Sequence, residues 1–201
     1  VWMDRPTGRV IRRYERARPG ELVHVDVKKL GRVPDGGGWR IHGRGHRPHR
    51  TRRPGWDFIH SAVDDYSRLA YSEIHPDERA DTCVAFWRRA TTFFARHGIS
   101  VTGVMTDNAK AYLCDRFQTA LTTQGARHWR IPPYSPQING KVERFHRTFL
   151  DEWAYARAWP DNPTRTAALA DWLHMYNHHR HHTALGAPPI SRVNDLPGHY
   201  N

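Results

Sequence analysis

The spacing of apolar residues changes near residue 77, and this change constrains the fold more than any other feature. Before it, residues 22–28 alternate apolar and polar side chains, which is the period of a β-strand, and residues 57–63 and 69–75 are strand-like segments joined by a polar turn. After it, apolar side chains recur at helical spacing between Asp77, placed to cap a helix, and Gly98, placed to end it. These side chains are Ala80, Val84, Trp87, Thr91 and Phe94. Three strands followed by a helix therefore open the domain.

The second half of the chain continues with alternating short strands and helices. Strands are predicted at residues 101–106 and 126–131, on either side of a helix at 114–124. A further helix begins near Asn139 and Gly140, and a last one spans about 164–179. This order predicts an α/β domain with a mixed five-stranded sheet covered by helices.

The charge indicates a polyanionic partner. The chain has 201 residues, 31 Lys and Arg against 20 Asp and Glu, and a net charge of +11. Residues 1–20 carry +4 and residues 31–56 carry +6, so nearly all of the excess lies in the first 56 residues. Clustered positive charge of this kind is typical of nucleic-acid binding.

The segment 31–56 contains seven Gly and seven Arg and admits two interpretations. It is either a flexible arm that becomes ordered on DNA or a solvated loop without a partner. In the first case, its arginines bind phosphates and its tryptophans stack on exposed bases. The candidate DNA contacts in it are Arg44, Arg47, Arg50, Arg52 and Arg53. Zinc binding by His42, His46 and His49 is disfavoured, because no cysteine is near and a Gly-rich segment supplies no rigid tetrahedron.

Several protein classes are excluded. No run of apolar residues approaches the roughly 20 that a transmembrane helix needs, and the polar, Arg-rich start does not resemble a signal peptide. Cys83 and Cys114 form no disulfide framework, which fits a reducing cytoplasm. Because the first residue is Val1, we expect a fragment that lacks an upstream DNA-binding domain.

Three carboxylates occupy positions that would suit a catalytic metal site. Asp26 is in the middle of a strand, Asp107 ends a later strand, and Glu143 falls in the first turn of a helix. Carboxylates from separate elements suit Mg²⁺, which binds oxygen ligands and leaves positions for phosphate and water. From the residues alone, a solvated Asp at a strand end and a Glu favoured by the helix dipole explain the pattern equally well. Asp64 and Asp65 are explained by a turn between strands.

Four segments resemble the DDE transposase and retroviral integrase superfamily. They are HVDVKK (24–29), TDNAKAY (106–112), PPYSPQINGKVERFHRTF (132–149) and YNHHRHHTALGAPPISRV (176–193). The last Asp and the Glu of that superfamily are typically separated by 35 residues, as they are here (143 − 107 − 1 = 35). The fourth segment is most similar to bacterial transposases of the insertion sequence 481 family, and the resemblance runs over about residues 9–196.

The resemblance implies a ribonuclease H-like fold with helices on both faces of the sheet. It makes Asp26, Asp107 and Glu143 the catalytic, metal-binding triad, holding two Mg²⁺ or Mn²⁺ ions. The implied activity is cleavage of DNA at the ends of a mobile element, followed by strand transfer into target DNA. A homo-oligomer on DNA is implied, and a bacterial, nucleoid-associated location. Ala109 departs from the family, which often has Gly there.

DNA contacts near the triad are also implied. Tyr134, Gln137 and Lys141 match the mobile loop that contacts DNA beside the active site of integrases. Arg144 and Arg147 follow Glu143 on the same predicted helix. Arg147 shares the face of Glu143, because residues four apart are neighbours on a helix, so it is the better candidate for a phosphate contact.

The predicted organisation is a basic linker at 1–20, a catalytic core at 21–160 with the insertion 31–56, and a C-terminal helix and tail at 161–201. Two other functions stay open. One is a catalytically inactive DNA-binding remnant of a transposase, and the other is a stand-alone nuclease of the same fold.

Overall fold

A five-stranded mixed sheet forms the centre of the computed structural model, which describes residues 15–43, 54–132 and 140–193. The strands are β1 (Val23–Gly31), β2 (Trp56–Asp64), β3 (Ala70–His75), β4 (Gly103–Thr106) and β5 (Arg127–Arg130), in the order β3-β2-β1-β4-β5. β1, β2 and β3 pair antiparallel, whereas β4 and β5 continue the sheet in parallel. The fold predicted from the periodicity change is therefore confirmed.

Seven α-helices lie in the described part of the chain. They are α1 (Trp39–His42), α2 (Ala80–Arg96), α3 (Lys110–Leu113), α4 (Asp115–Thr123), α5 (Gly140–Phe149), α6 (Asn162–Ala167) and α7 (Leu169–His178). A π-helical turn at Leu150–Ala154 extends α5, and a 3₁₀ turn follows at Pro189–Arg192. None of the helices in the described ranges is long and apolar enough to cross a membrane.

The helices cover both faces of the sheet because the strands alternate. On one face, Val23 and Val25 of β1 pack with the aromatic side chains of α2 and α4. On the other face, Leu30 of β1 and Ile59 and Val63 of β2 pack against α5 and α7. Asp26 lies on this second face, because side chains an even number of residues apart on a strand point to the same side. Asp26 is two residues after His24 and four residues before Leu30. The face that bears Asp26 is thus the one that α5 covers.

Three predicted elements differ in detail from the structure. α2 begins at Ala80, three residues after Asp77, although the Asp77 carboxylate still accepts hydrogen bonds from the Arg79 amide and the Thr82 hydroxyl. The last helix is broken into α6 and α7 at Ala168, and Asp161 caps α6 by accepting a bond from the Thr164 amide. The short helix α1 was not predicted within the Gly- and Arg-rich segment.

Asn177 of α7 closes the exposed edge of the sheet. Its side-chain amide accepts a hydrogen bond of 2.9 Å from the Ala70 amide and donates one of 2.8 Å to the Ala70 carbonyl. Asn177 is 4% exposed, so it substitutes for a neighbouring strand in a place that water does not reach. This explains on physical grounds why an amide stands in the YNHHRHH segment.

Replacing Asn177 by Ala is expected to lower the free energy of unfolding by about 2–4 kcal/mol, because two buried backbone groups lose their partners. Urea unfolding followed by circular dichroism measures this. Asn108→Ala is the matched control, since it removes an exposed amide that donates to the Ile131 carbonyl. Equal losses in the two variants would contradict the role of Asn177.

Candidate active site

Asp26 lies in the middle of the central strand β1, where it pairs with Ser61 of β2. Its side chain is 24% exposed, and its Oδ2 lies 3.5 Å from Nδ1 of His146 in α5. Burial raises the pKa of Asp26, the charges of Asp107 and Glu143 add to this effect and the Val27 amide opposes it, so that the pKa is about 7. Asp26 is therefore a carboxylate held in an environment that disfavours its charge.

Asp107 directly follows β4. β4 pairs in parallel with β1, with Val23 opposite Val104 and His24 opposite Met105. Continuing this register by two residues brings Asp107 beside Asp26. The Asp107 carboxylate accepts a hydrogen bond of 3.0 Å from the Ala109 amide, which fixes the turn into α3.

Ala109 causes no strain in this turn. Its φ of −61° and ψ of 141° lie in the extended region that any L-residue adopts. The departure from the more usual Gly is therefore accommodated by an ordinary backbone conformation.

Glu143 is exposed in the first turn of α5. The opposite side of this helix is buried through Val142, Phe145 and Phe149, which pack on the face of the sheet that carries Asp26. Packing of that side holds α5 over β1, and the helix N-terminus favours a negative charge at Glu143.

The three carboxylates form one electrostatic group, because Asp107 and Glu143 both act on the pKa of Asp26. Their oxygen atoms are the ligands that Mg²⁺ and Mn²⁺ prefer, and a divalent cation would offset their mutual repulsion. Within residues 15–43, 54–132 and 140–193, no three acidic, His or Cys side chains are drawn together to ligand distance. The donor set thus fits the chemistry of a divalent ion, and two of its members, Asp107 and Glu143, are exposed side chains.

Comparison with known families agrees with this arrangement. A family model described as "Integrase core domain" matches residues 16–136, and a second model of the same description matches residues 124–189. The chain belongs to the integrase core domain family. The two matched ranges together contain Asp26, Asp107 and Glu143.

A curated relative is similar over part of its length. "Putative integrase ORF3" of Spiroplasma virus SpV1-C74 is 25% identical over 153 residues, which are 69% of this chain and 42% of that protein. The chain therefore spans less than half the length of this relative.

Solved structures of retroviral integrases share the fold. The simian T-cell lymphotropic virus intasome in complex with PP2A regulatory subunit B56 gamma gives a TM-score of 0.69 at 20% identity, covering 94% of this chain and 59% of that one. The HTLV-2 integrase catalytic core domain in complex with magnesium, in its trimeric form, gives a TM-score of 0.63 at 16% identity, covering 88% of this chain and 97% of that one. The catalytic core domain of BIV integrase gives a TM-score of 0.59 at 20% identity, covering 86% of this chain and 92% of that one. The ribonuclease H-like fold predicted from the sequence is confirmed.

His146 is a site residue of this integrase core domain that the sequence did not reveal. It is buried beside Asp26, and burial lowers its pKa to about 3, helped by the nearby Lys28, so the imidazole is neutral at physiological pH. In the sequence, His146 is indistinguishable from the apolar residues on the buried side of α5. The only signal in the sequence for a role of His146 in the site was its position three residues after Glu143 on the same helix.

Asp65 occupies the centre of a buried polar cluster that ties α5 to the sheet. Nε2 of His24 in β1 lies 2.8 Å from Asp65 Oδ1, Lys141 Nζ of α5 donates to the same oxygen, and the Arg16 amide donates to Oδ2 at 2.7 Å. Asp64 beside it accepts bonds from the Gly20 amide and from the amide and hydroxyl of Ser67. The predicted turn is present, but both carboxylates are fully buried within it.

Lys141, a predicted DNA contact, has a partner inside the protein, and its contact with DNA stays a prediction. Its side chain is 18% exposed and forms an ion pair with the fully buried Asp65, so its charge is neutralised inside the protein. Lys141 fixes the first turn of α5, two residues before Glu143, and we assign it a structural role.

The other predicted DNA contacts fall into two groups. Arg144 and Arg147 are exposed on α5, and neither forms a hydrogen bond or ion pair with the described residues, so both are available to a phosphate. The remaining candidates lie outside the described residues: Tyr134, Gln137, Arg44, Arg47, Arg50, Arg52 and Arg53.

Asp65→Asn is expected to lower the free energy of unfolding at pH 7 by about 3–5 kcal/mol, because it leaves Lys141 without its buried partner. Burial alone would raise the pKa of Asp65, but the bonds from His24, Lys141 and Arg16 outweigh it and hold the pKa below its usual range. The ionised form therefore stabilises the fold above the ordinary pKa of Asp. The difference between wild type and variant should shrink as the pH falls below about 4.

Urea unfolding at pH 7 and pH 3 tests this expectation. Asp115→Asn, which alters an exposed carboxylate of α4, is the control. Adding Lys141→Met to Asp65→Asn should recover part of the loss, because no unpaired charge then stays buried. A loss below about 0.5 kcal/mol in Asp65→Asn, as at an ordinary surface site, would contradict the role of the cluster.

Proposed function

We propose that this chain is the catalytic core of a DDE-type DNA transposase or integrase, which cuts the ends of a mobile element and joins them to target DNA. The observation that carries the proposal is that Asp107 and Glu143 act on the partly buried Asp26, whose pKa is raised to about 7 by burial and, in addition, by the charges of these two carboxylates. Three carboxylates that repel one another around a partly buried site are costly unless a cation joins them. Membership of the integrase core domain family supports the same function.

Asp26, Asp107 and Glu143 would hold the cofactor, which we propose to be two Mg²⁺ or Mn²⁺ ions. Bound ions of this kind lower the pKa of an attacking oxygen and stabilise the leaving oxygen of a phosphodiester. The HTLV-2 integrase core, which shares the fold, was solved in complex with magnesium.

The proposed reaction has two displacements at phosphorus. In the first, water attacks a phosphodiester at the element end and a 3′-hydroxyl leaves. In the second, that hydroxyl attacks a phosphodiester of target DNA, and a target 3′-hydroxyl leaves. No protein side chain forms a covalent bond in either step. Arg144 and Arg147 lie on the helix of Glu143 and are suited to hold the phosphates next to the carboxylates.

We further propose that the element is a bacterial insertion sequence of the 481 family, and that the protein acts on nucleoid DNA as a homo-oligomer. The YNHHRHHTALGAPPISRV segment supports the first point. The structures of similar fold include an intasome and trimeric and dimeric forms of an integrase core, which support the second.

The two other functions differ in what they predict. A stand-alone nuclease would cut DNA without joining ends, and an inactive remnant would bind DNA without cutting it. The presence of all three carboxylates disfavours the remnant, because a protein that only binds DNA gains nothing from their mutual repulsion.

Asp107→Asn is expected to reduce strand transfer in Mg²⁺ by about 100-fold or more, because a neutral amide binds the ion less well than a carboxylate. A labelled element end incubated with supercoiled plasmid, followed by gel electrophoresis, measures both cutting and joining.

Asp171→Asn is the matched control, since Asp171 is an exposed carboxylate on α7 without a described partner. It should retain full activity. Full activity in Asp107→Asn would refute the assignment of the triad. Cutting without joining in the wild type would favour the nuclease, and DNA binding without cutting would favour the remnant.

A further inference from the structure

An open groove lies on the surface at α1, and its described lining does not include Asp26, Asp107 or Glu143. It is lined by Trp39, Arg40, Ile41 and Gly43 of the α1 region and by Arg157 and Ala158, which follow the π-helical turn, and its volume is about 640 Å³. We call it the Trp39 groove. Nothing in the function proposed above uses it.

The groove combines exposed apolar side chains with arginines. Trp39, Ile41 and Tyr155 are 55%, 43% and 44% exposed, which is unusual for side chains of this size. The guanidinium of Arg40 lies 4.9 Å from the ring centroid of Tyr155 and 5.5 Å from that of Trp39, and it donates a bond of 2.6 Å to the Tyr155 carbonyl. The Arg157 guanidinium lies 4.0 Å from the Trp159 ring. None of the described residues that line the groove is acidic.

An ion-pair cluster ties the chain that follows β1 to the start of α6. Asp57 of β2 accepts bonds from Arg32 (2.7 Å), Asn162 (2.8 Å) and Arg165 (3.2 Å). Asn162 also accepts a bond from the Val33 amide at 3.1 Å. The chain that leads from β1 towards α1 is thus anchored, and Arg40 joins α1 itself to the Tyr155 carbonyl.

The charge of the groove selects the kind of ligand. Two arginines, Arg40 and Arg157, are among its lining residues. A second copy of this chain, at +11, would bring like charge to the same surface. A nucleic acid instead offers phosphates to the arginines and base faces to Trp39.

We propose that the Trp39 groove binds an unpaired stretch of the DNA substrate, with Trp39 stacked on a base and Arg40 and Arg157 bound to phosphates. This rests on the proposed function in taking DNA as the substrate. It adds a second, non-catalytic site that reads the single-stranded character of the DNA flank.

DNA binding by the full chain tests the proposal, with the Asp107→Asn background used to prevent cleavage. Fluorescence anisotropy compares a blunt duplex with the same duplex carrying a tail of about ten unpaired nucleotides. Trp39→Ala should weaken binding of the tailed duplex about tenfold and leave the blunt duplex unchanged. Trp39→Phe should restore most of the loss, because Phe also stacks.

Removal of the two arginines gives an independent readout. The double variant Arg40→Ala/Arg157→Ala should reduce the slope of log affinity against log salt on the tailed duplex by about 1.4, the value for two phosphate contacts to a single strand. Arg79→Ala/Arg88→Ala removes equal charge from the exposed surface around α2 and should leave the slope unchanged. Met175→Ala, which truncates another exposed apolar residue, is the control for Trp39→Ala.

Two outcomes would overturn the proposal. Equal effects of Trp39→Ala and Met175→Ala on the tailed duplex would exclude stacking. A change of oligomeric state in analytical ultracentrifugation with unchanged DNA affinity would identify the groove as a contact between copies. Because these readouts need no catalysis, a wild type that binds tailed DNA through the groove but joins no ends would refute the proposed function alone.

Discussion

The arrangement of the candidate site depends on one ion pair, between Asp65 in the turn after β2 and Lys141 in the first turn of α5. Asp65 has no exposure to water, and it also holds His24 of β1 and the backbone of Arg16. Three separate segments are thus joined through one carboxylate. Glu143 is two residues from Lys141, and Asp26 is two residues from His24, so the same cluster fixes two of the three site carboxylates relative to each other. A buried ion pair rarely adds much net stability, but it specifies one arrangement because its rupture is costly. Here it determines where α5 begins over the sheet.

The Asp65 cluster and the candidate site shift the pKa of their carboxylates in opposite directions. Asp65 is buried yet keeps its charge, because three donors point at it and hold its pKa below the usual range. Asp26 is less deeply buried, but it faces two carboxylates and a neutral imidazole, and its pKa is raised to about 7. The difference lies in the partners each carboxylate meets, since burial raises both pKa values. A carboxylate whose charge is compensated by protein donors, such as Asp65, stabilises the fold. A carboxylate that lacks positively charged partners in the protein, such as Asp26, is suited to bind a cation from solution.

Local patterns in the sequence predicted most of the fold, because strand alternation and helical spacing depend only on nearby residues. β1, β2 and β3 were predicted to within three residues at each end. The triad was predicted from the resemblance of the motifs and their spacing to those of the DDE superfamily. The parallel register of β1 and β4 gives a physical reason for the proximity of Asp26 and Asp107. Asp65 and His146 could not be found this way, because their roles depend on contacts with residues 76 and 120 positions away in sequence. The predicted apolar stripe of α2 was also rotated, since Cys83, Phe86 and Ala90 are buried whereas Thr91 is only partly so.

The distribution of positive charge along the chain bears on how the candidate site would function. The net charge of +11 lies almost entirely in residues 1–20 and 31–56, which precede and follow β1 in the sequence. Lys141, beside the triad, is neutralised by Asp65, so fewer positive charges remain near the carboxylates than the sequence suggests. Under the proposed function, the arginines of these two stretches supply affinity for DNA, and Arg40 and Arg157 are held on aromatic rings. Such a division lets a polyanion bind tightly without placing many fixed cations where divalent ions would enter. Affinity and catalysis are then assigned to different segments of the chain.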